Sequence, residues 1–244
     1  MRSLLASASW RRVGPPILLS LALLTAACGT TTSPAPSSIT APALPSVSSE
    51  PPSAAASSTA AASQSPVVGT LCAKGFQPCG ISAGTYSSAP FSPAFTFTIA
   101  TPRTNNRAWP HGGDVTADTG ALFWASGITG AMTETGPVTL GPAPADFIAF
   151  LNKPKGWVVS KPVAVTIGGV AGQQVDVATR KVGIRAVFTI PEDAFNVDAG
   201  EKVRFIVLDK GGTRVVLMVD AFKEKDFNDV VALEQPILDS ILWQ

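Results

Sequence analysis

Apolar and polar residues alternate at Phe95-Thr96-Phe97-Thr98-Ile99, the two-residue period of a strand that buries one face. The same pattern predicts strands over residues 121–125, 163–167, 174–177, 183–189, 203–208 and 214–220. Gly168-Gly169 is placed to turn the chain between Val163-Ala164-Val165-Thr166-Ile167 and Val175-Asp176-Val177. Lys210-Gly211-Gly212 does the same between Phe205-Ile206-Val207-Leu208 and Val215-Val216-Leu217-Met218-Val219. These are hairpins, so the expected sheet is antiparallel. The second pair is apolar without alternation, which places it mid-sheet with helices expected on both faces.

Two helices are available for that cover. Pro144 suits the first helical position, and Phe147, Phe150 and Leu151 form one stripe that ends before Pro154. Downstream, Asp226 can cap a helix in which Phe227, Val230, Val231, Leu238, Ile241 and Leu242 recur at helical spacing. Pro236 lacks the donor that a helix interior needs and is expected to bend it, with residues 238–243 still docked. The fold class is therefore α+β, an antiparallel sheet flanked by helices.

The N-terminal pattern is different. Arg2 and Arg11-Arg12 precede the apolar run Ile17-Leu18-Leu19-Ser20-Leu21-Ala22-Leu23-Leu24, which ends in Thr25-Ala26-Ala27-Cys28. This is a secretory signal over residues 1–28, too short and too interrupted by Pro15-Pro16 to be a spanning helix. Leu24 to Cys28 resembles a bacterial lipobox, although Thr25 stands where Leu is commonest. That resemblance implies that Cys28 becomes the first mature residue, carries lipid, and holds the protein to the outer face of the plasma membrane, or to the outer membrane of a diderm. The alternative is a soluble secreted protein cleaved near Ala27. Gly14-Pro15-Pro16 follow the arginine pair where apolar residues would be needed, which favours the general secretory route over a twin-arginine signal.

Residues 29–66 are nearly all Ser, Thr, Ala and Pro, with Glu50 the only charge and no aromatic residue. Such a stretch cannot bury a core and reads as a disordered tether, spanning roughly 40 Å as a coil and at most about 120 Å as polyproline. Its Ser/Thr density is compatible with glycosylation. Residues 67–244 remain as one globular domain. Charged residues are only 14% of the chain, against about 25% in average proteins. Three arginines of the 18 basic residues lie in the signal, so the domain is near neutral and lacks a nucleic-acid binder's charge.

Cysteine use fits export. Cys72 and Cys79 are the only cysteines besides Cys28, and in an oxidising compartment they are expected to form a disulfide that pins the entry to the domain. A structural zinc would need four ligands, and the chain has a single histidine.

Several pieces together resemble the PsbP/Mog1-like group of small α/β/α sandwich domains. They are Gly84-Thr85-Tyr86-Ser87-Ser88-Ala89-Pro90-Phe91 with Phe95-Thr96-Phe97, the central residues 165–172, the late stretch 204–212, and Gln235-Pro236-Ile237-Leu238-Asp239-Ser240-Ile241. The similarity covers residues 80–244 and is greater to the mycobacterial lipoprotein branch than to the photosynthetic one. Its motifs are turns and strand ends, so it implies a fold and a non-enzymatic binding or assembly module, with no catalytic residue. The segment 101–114 departs from the pattern as a long loop.

Recognisable catalytic arrangements are missing from the sequence. His111 is the one imidazole available to a Ser-His-acid mechanism, and no Gly-x-Ser-x-Gly elbow accompanies it. Phosphate-cradling and dinucleotide-binding glycine motifs are absent, and no cofactor or metal is expected. Carboxylate chemistry passes this filter, which leaves an envelope glycan hydrolase as the alternative to binding. Glu192, Asp193, Asn196, Asp198 and Glu201 could offer oxygens to calcium, but their spacing is not that of an EF-hand, and a polar connection accounts for them equally well. Trp109, Trp124 and Trp157 could line a groove for a small apolar ligand or a partner protein, or sit in the core as indoles usually do. Trp109 and His111 share the expected long loop, which makes them the favoured contact surface.

Overall fold

The structure is a computed structural model that describes residues 68–75, 79–180 and 186–244. The signal, Cys28 and the tether lie outside the described residues, as does the start of the strand expected over 183–189.

The chain runs through β1 (Val68–Thr70), β2 (Gly84–Ser87), β3 (Phe95–Ile99), β4 (Asn105–Trp109), β5 (Gly112–Thr116), β6 (Gly120–Ser126), β7 (Gly130–Thr133) and β8 (Gly136–Thr139). Helix α1 (Pro144–Leu151) precedes β9 (Trp157–Val159), β10 (Val163–Ile167), β11 (Val170–Thr179), β12 (Ala186–Ile190), β13 (Asp193–Val197), β14 (Lys202–Lys210) and β15 (Thr213–Ala221). Helix α2 (Phe227–Asp239) and β16 (Leu242–Trp243) follow. The central sheet has the order β10-β11-β14-β15-β6-β5-β4, with β9 beside the far half of β11, and every pairing in it is antiparallel. Both anticipated hairpins form where the glycines place them, Ile167 opposite Val170 and Lys210 opposite Thr213.

Successive residues of β14 and β15 enter two separate cores, because strand side chains alternate between faces. Val203, Phe205, Val207, Val216 and Met218 lie on one face with Phe147, Phe150 and Leu151 of α1. Ile206, Leu208, Val215, Leu217 and Val219 lie on the other with Phe227, Val230, Ile237 and Leu238 of α2. The helices do occupy opposite faces, but the cover is mostly strand, which corrects the picture of an α/β/α sandwich. Sheet β13-β12-β7-β8 shares the face of α1, and sheet β1-β2-β3-β16 shares that of α2. The reason is reach: seven strands abreast span about 30 Å, while an eight-residue helix is about 12 Å long. Small sheets fill what the helices leave open.

Two local expectations are also corrected. Helix α2 runs through Pro236 to Asp239 and stops, and Leu242 and Trp243 pair with Thr96 and Phe95 instead of continuing it. Arg103 donates to the carbonyl oxygen of Leu233, three residues before Pro236, and pairs with Glu234 at 3.3 Å; both side chains are fully buried. The segment 101–114 is not a long loop but largely the hairpin β4–β5, with only Pro110 and His111 between Trp109 and Gly112.

Cys72 and Cys79 are disulfide-bonded, with Cα atoms 6.6 Å apart. Asn106 accepts from the Cys72 amide at 2.9 Å and donates to the Cys79 carbonyl at 2.7 Å, while Asn105 accepts from the Cys79 amide at 3.1 Å. Cys72, Ala73 and Cys79 therefore lie along the outer edge of β4 and cover part of an otherwise open strand edge. Among the described residues, no helix is long and apolar enough to cross a membrane.

Candidate functional site

The face of the central sheet that carries α1 also holds a groove roofed by β13. Register places Arg107, Asp114, Phe123, Met218 and Phe205 side by side across five strands, with Ala121, Asp220 and Val203 in the neighbouring row. A cavity of about 140 Å³ is bounded by Phe123, Met218, Val203 and Asp220 below and by Phe195 and Asn196 above. A smaller one of about 50 Å³ adjoins it, reaching Arg107, Trp109 and Asp193 and sharing Phe123, Ala194, Phe195 and Met218 with the first. Together they make a channel with largely apolar walls, Asp220 at one end and Arg107 and Asp193 at the other.

At one end lies Asp220, directly after the apolar residues 215–219 of β15 and only 7% exposed. Among the described residues its Oδ1 has no hydrogen-bond partner. Burial, followed by the charges of Glu201 and Asp198, pushes its carboxyl well above the usual carboxylate range. At the other end, Asp114 is held by Arg107 at 2.6 Å and by the Thr116 hydroxyl at 3.0 Å, and burial still outweighs the guanidinium and raises its carboxyl. Trp109 Nε1 is buried there without an acceptor.

The roof is tied down at its tip. Glu192 sits in the two-residue turn between Ile190 and Asp193, and its carboxylate meets His111 Nδ1 at 2.5 Å. Lys74, from inside the disulfide loop, donates to the Glu192 carbonyl at 2.5 Å, pairs with Asp193 at 3.2 Å and lies 5.5 Å from the centre of the Trp109 ring. His111 thus acts on the groove through its lid and is not among the residues lining it.

The candidate tryptophans are dispersed. Trp109 is buried against Gly112, where a Cβ would come within 2.9 Å of the indole. Trp124 is 1% exposed and packs at 5.5 Å and 5.7 Å from Phe95 and Phe97, mostly in the opposite core, although it also borders the smaller cavity. Trp157 is half-buried on β9, away from the groove. The acidic cluster forms β13 and its flanks: Asp193 pairs with Lys74, the Glu201 carboxylate accepts from the Asp198 amide, and no group of three potential ligands is gathered among the described residues. A larger opening of about 480 Å³ beside Thr129, Leu140 and Arg214 is held by a guanidinium already committed to the carbonyls of Ile128, Gly141 and Ala143.

Sequence reasoning missed Asp220, Asp114, Arg107 and the aromatic floor and roof. One signal was present: a lone acid inside the apolar run Val215 to Ala221 has to be paired, protonated or used.

No family model matches the chain, and no curated protein matches it. Among solved structures, the "Crystal structure of LpqN involved in cell envelope biogenesis of Mycobacterium tuberculosis" is similar at 15% identity, covering 73% of this chain and 88% of that one, with a TM-score of 0.29. A likeness of that size transfers neither fold nor ligand.

Proposed function

We propose that the chain is an exported protein, anchored in the cell envelope through lipid on Cys28, whose domain is a non-enzymatic binding module for a small apolar ligand. The PsbP/Mog1-like resemblance of the sequence belongs to the same reading. The observation that carries it is the apolar channel beneath β13, formed by two adjoining cavities. An apolar cavity near 150 Å³ is large enough for a benzene-sized group, so the channel suits one ring or one end of a longer hydrocarbon.

Toluene titrated into the full-length chain and followed by amide NMR shifts tests the groove. Shifts should centre on Phe123, Phe195 and Met218 and vanish in Met218→Trp, whose larger side chain fills the stretch that the two cavities share. Shifts unchanged in that variant, or absent from the wild type, would overturn the reading; release of sugar from isolated envelope glycan would favour the hydrolase instead. The anchor has its own test: Cys28→Ser should release the protein from the membrane fraction, and unchanged membrane retention and processing would refute lipidation.

A further inference from the structure

Resting on the groove reading, we propose that Asp220 is its ligand-recognition residue and that the ligand is uncharged, presenting a carbonyl-type oxygen to Asp220 while its apolar part lies along Phe123, Phe195 and Met218. Four observations converge on this. The carboxyl group faces a cavity, it is more than nine-tenths buried, its Oδ1 has no partner, and its strand neighbours on that face are Ala121 and Val203, which offer nothing to bond. A buried oxygen left in that state is costly, typically about 1–3 kcal/mol, and a ligand that bonds to the carboxyl group lowers the cost.

The surroundings decide the charge of the ligand. Lys202 and Arg204, on either side of Val203, point to the opposite face, where each lies over the Phe227 ring, and Arg204 also pairs with Asp176. The charges acting on Asp220 are those of Glu201 and Asp198, both acidic, and Asp193 stands at the far end of the channel. An anionic head at Asp220 would meet repulsion, and the cation that lines the channel, Arg107, is at the other end and already paired with Asp114. A cationic head would have to shed its water in a channel walled by Phe123, Phe195, Val203 and Met218. Burial favours the protonated form of the Asp220 carboxyl, in that form it is a hydrogen-bond donor, and the complement of a donor is a neutral acceptor.

A matched set of benzene-sized probes tests this on the full-length chain by NMR titration: toluene with no head, acetophenone with a carbonyl, benzylamine as cation and benzoate as anion. Acetophenone should bind at least tenfold tighter than toluene to the wild type. Asp220→Asn, whose amide still donates, should keep that preference within about threefold, whereas Asp220→Leu should reduce it to near unity while toluene still binds. An equal preference in Asp220→Leu would overturn the proposal, showing that the carboxyl meets only water. Benzylamine binding tightest, with loss in Asp220→Asn, would overturn it in favour of a carboxylate that selects cations. Failure of toluene itself removes the groove reading and this proposal with it, so the two failures are told apart.

Discussion

Replacing Arg103 by Met should cost about 3–5 kcal/mol, the range for removing one partner of a buried ion pair. Arg103 and Glu234 have side chains 1% and 0% exposed, so neither charge is screened by water. The guanidinium also donates to the carbonyls of Thr101 and Leu233, and these lose a donor in the same substitution. Glu234→Leu should be comparably harmful, because it leaves a buried cation with carbonyl partners only. The double variant Arg103→Met/Glu234→Leu should lose less than either single one, about 1–3 kcal/mol, since the remaining defect is unpaired carbonyl oxygen and not charge. Urea denaturation gives the three values, and the coupling between the sites follows from the cycle. In thermal melts each single change should lower Tm by about 10 °C or more for a domain of this size. Burial raises the Glu234 carboxyl despite Arg103, so the Arg103→Met loss should shrink as pH falls and the stranded acid takes up a proton. A double variant that costs the sum of the singles would refute the reasoning.

Intact mass of the chain purified without reductant should fall two hydrogens short of its reduced value, and reduction of Cys72–Cys79 should cost about 2 kcal/mol without unfolding the sheet, as circular dichroism would show. Trp109→Ala should lower stability by about 3–5 kcal/mol in denaturant titrations, because the indole is 8% exposed and packed on Gly112. For Asp220 the folded carboxyl titrates above its ordinary value of 3.8, so the native state holds a proton that the unfolded chain has released. Stability from this group is therefore lost as pH rises above 3.8 toward the folded value, and Asp220→Asn should remove that loss and flatten the fall of stability with rising pH, measured by urea midpoints.

What was legible in the sequence depended on whether a segment's partners were local. Gly168-Gly169 and Gly211-Gly212 announce their hairpins because a tight turn and its flanking strands are neighbours in sequence, and Pro144 marks the start of α1 for the same reason. Strand β4 was hidden because Asn105, Asn106 and Arg107 look like loop residues. Their polar groups are satisfied by the disulfide-bonded segment and by Asp114, contacts that composition does not display. Gly112 and Gly113 likewise suggested a flexible loop, whereas Trp109 and Trp124 lie against them and leave no room for a Cβ. Strand β13 was masked by its acids, although Phe195 and Val197 alternate as a strand's residues should. The channel was invisible for a further reason: it is made by two sheets meeting, and only Asp220, out of place in an apolar run, pointed toward it.

The disulfide has a mechanical consequence for a domain pulled from its N-terminal side. Tension entering at Val68 passes along β1 to Cys72 and then crosses the sulfur bridge to Cys79, so the loop between them stays slack. Lys74 lies in that slack loop, and it is Lys74 that holds the tip of the groove's roof. The load is delivered instead to the bonds that Asn105, Asn106 and Ala108 make with the two cysteines, on the edge of the widest sheet. The bridge therefore works as a strain relief, so that a pull on the N-terminal side bypasses the contact that holds the lid over the channel.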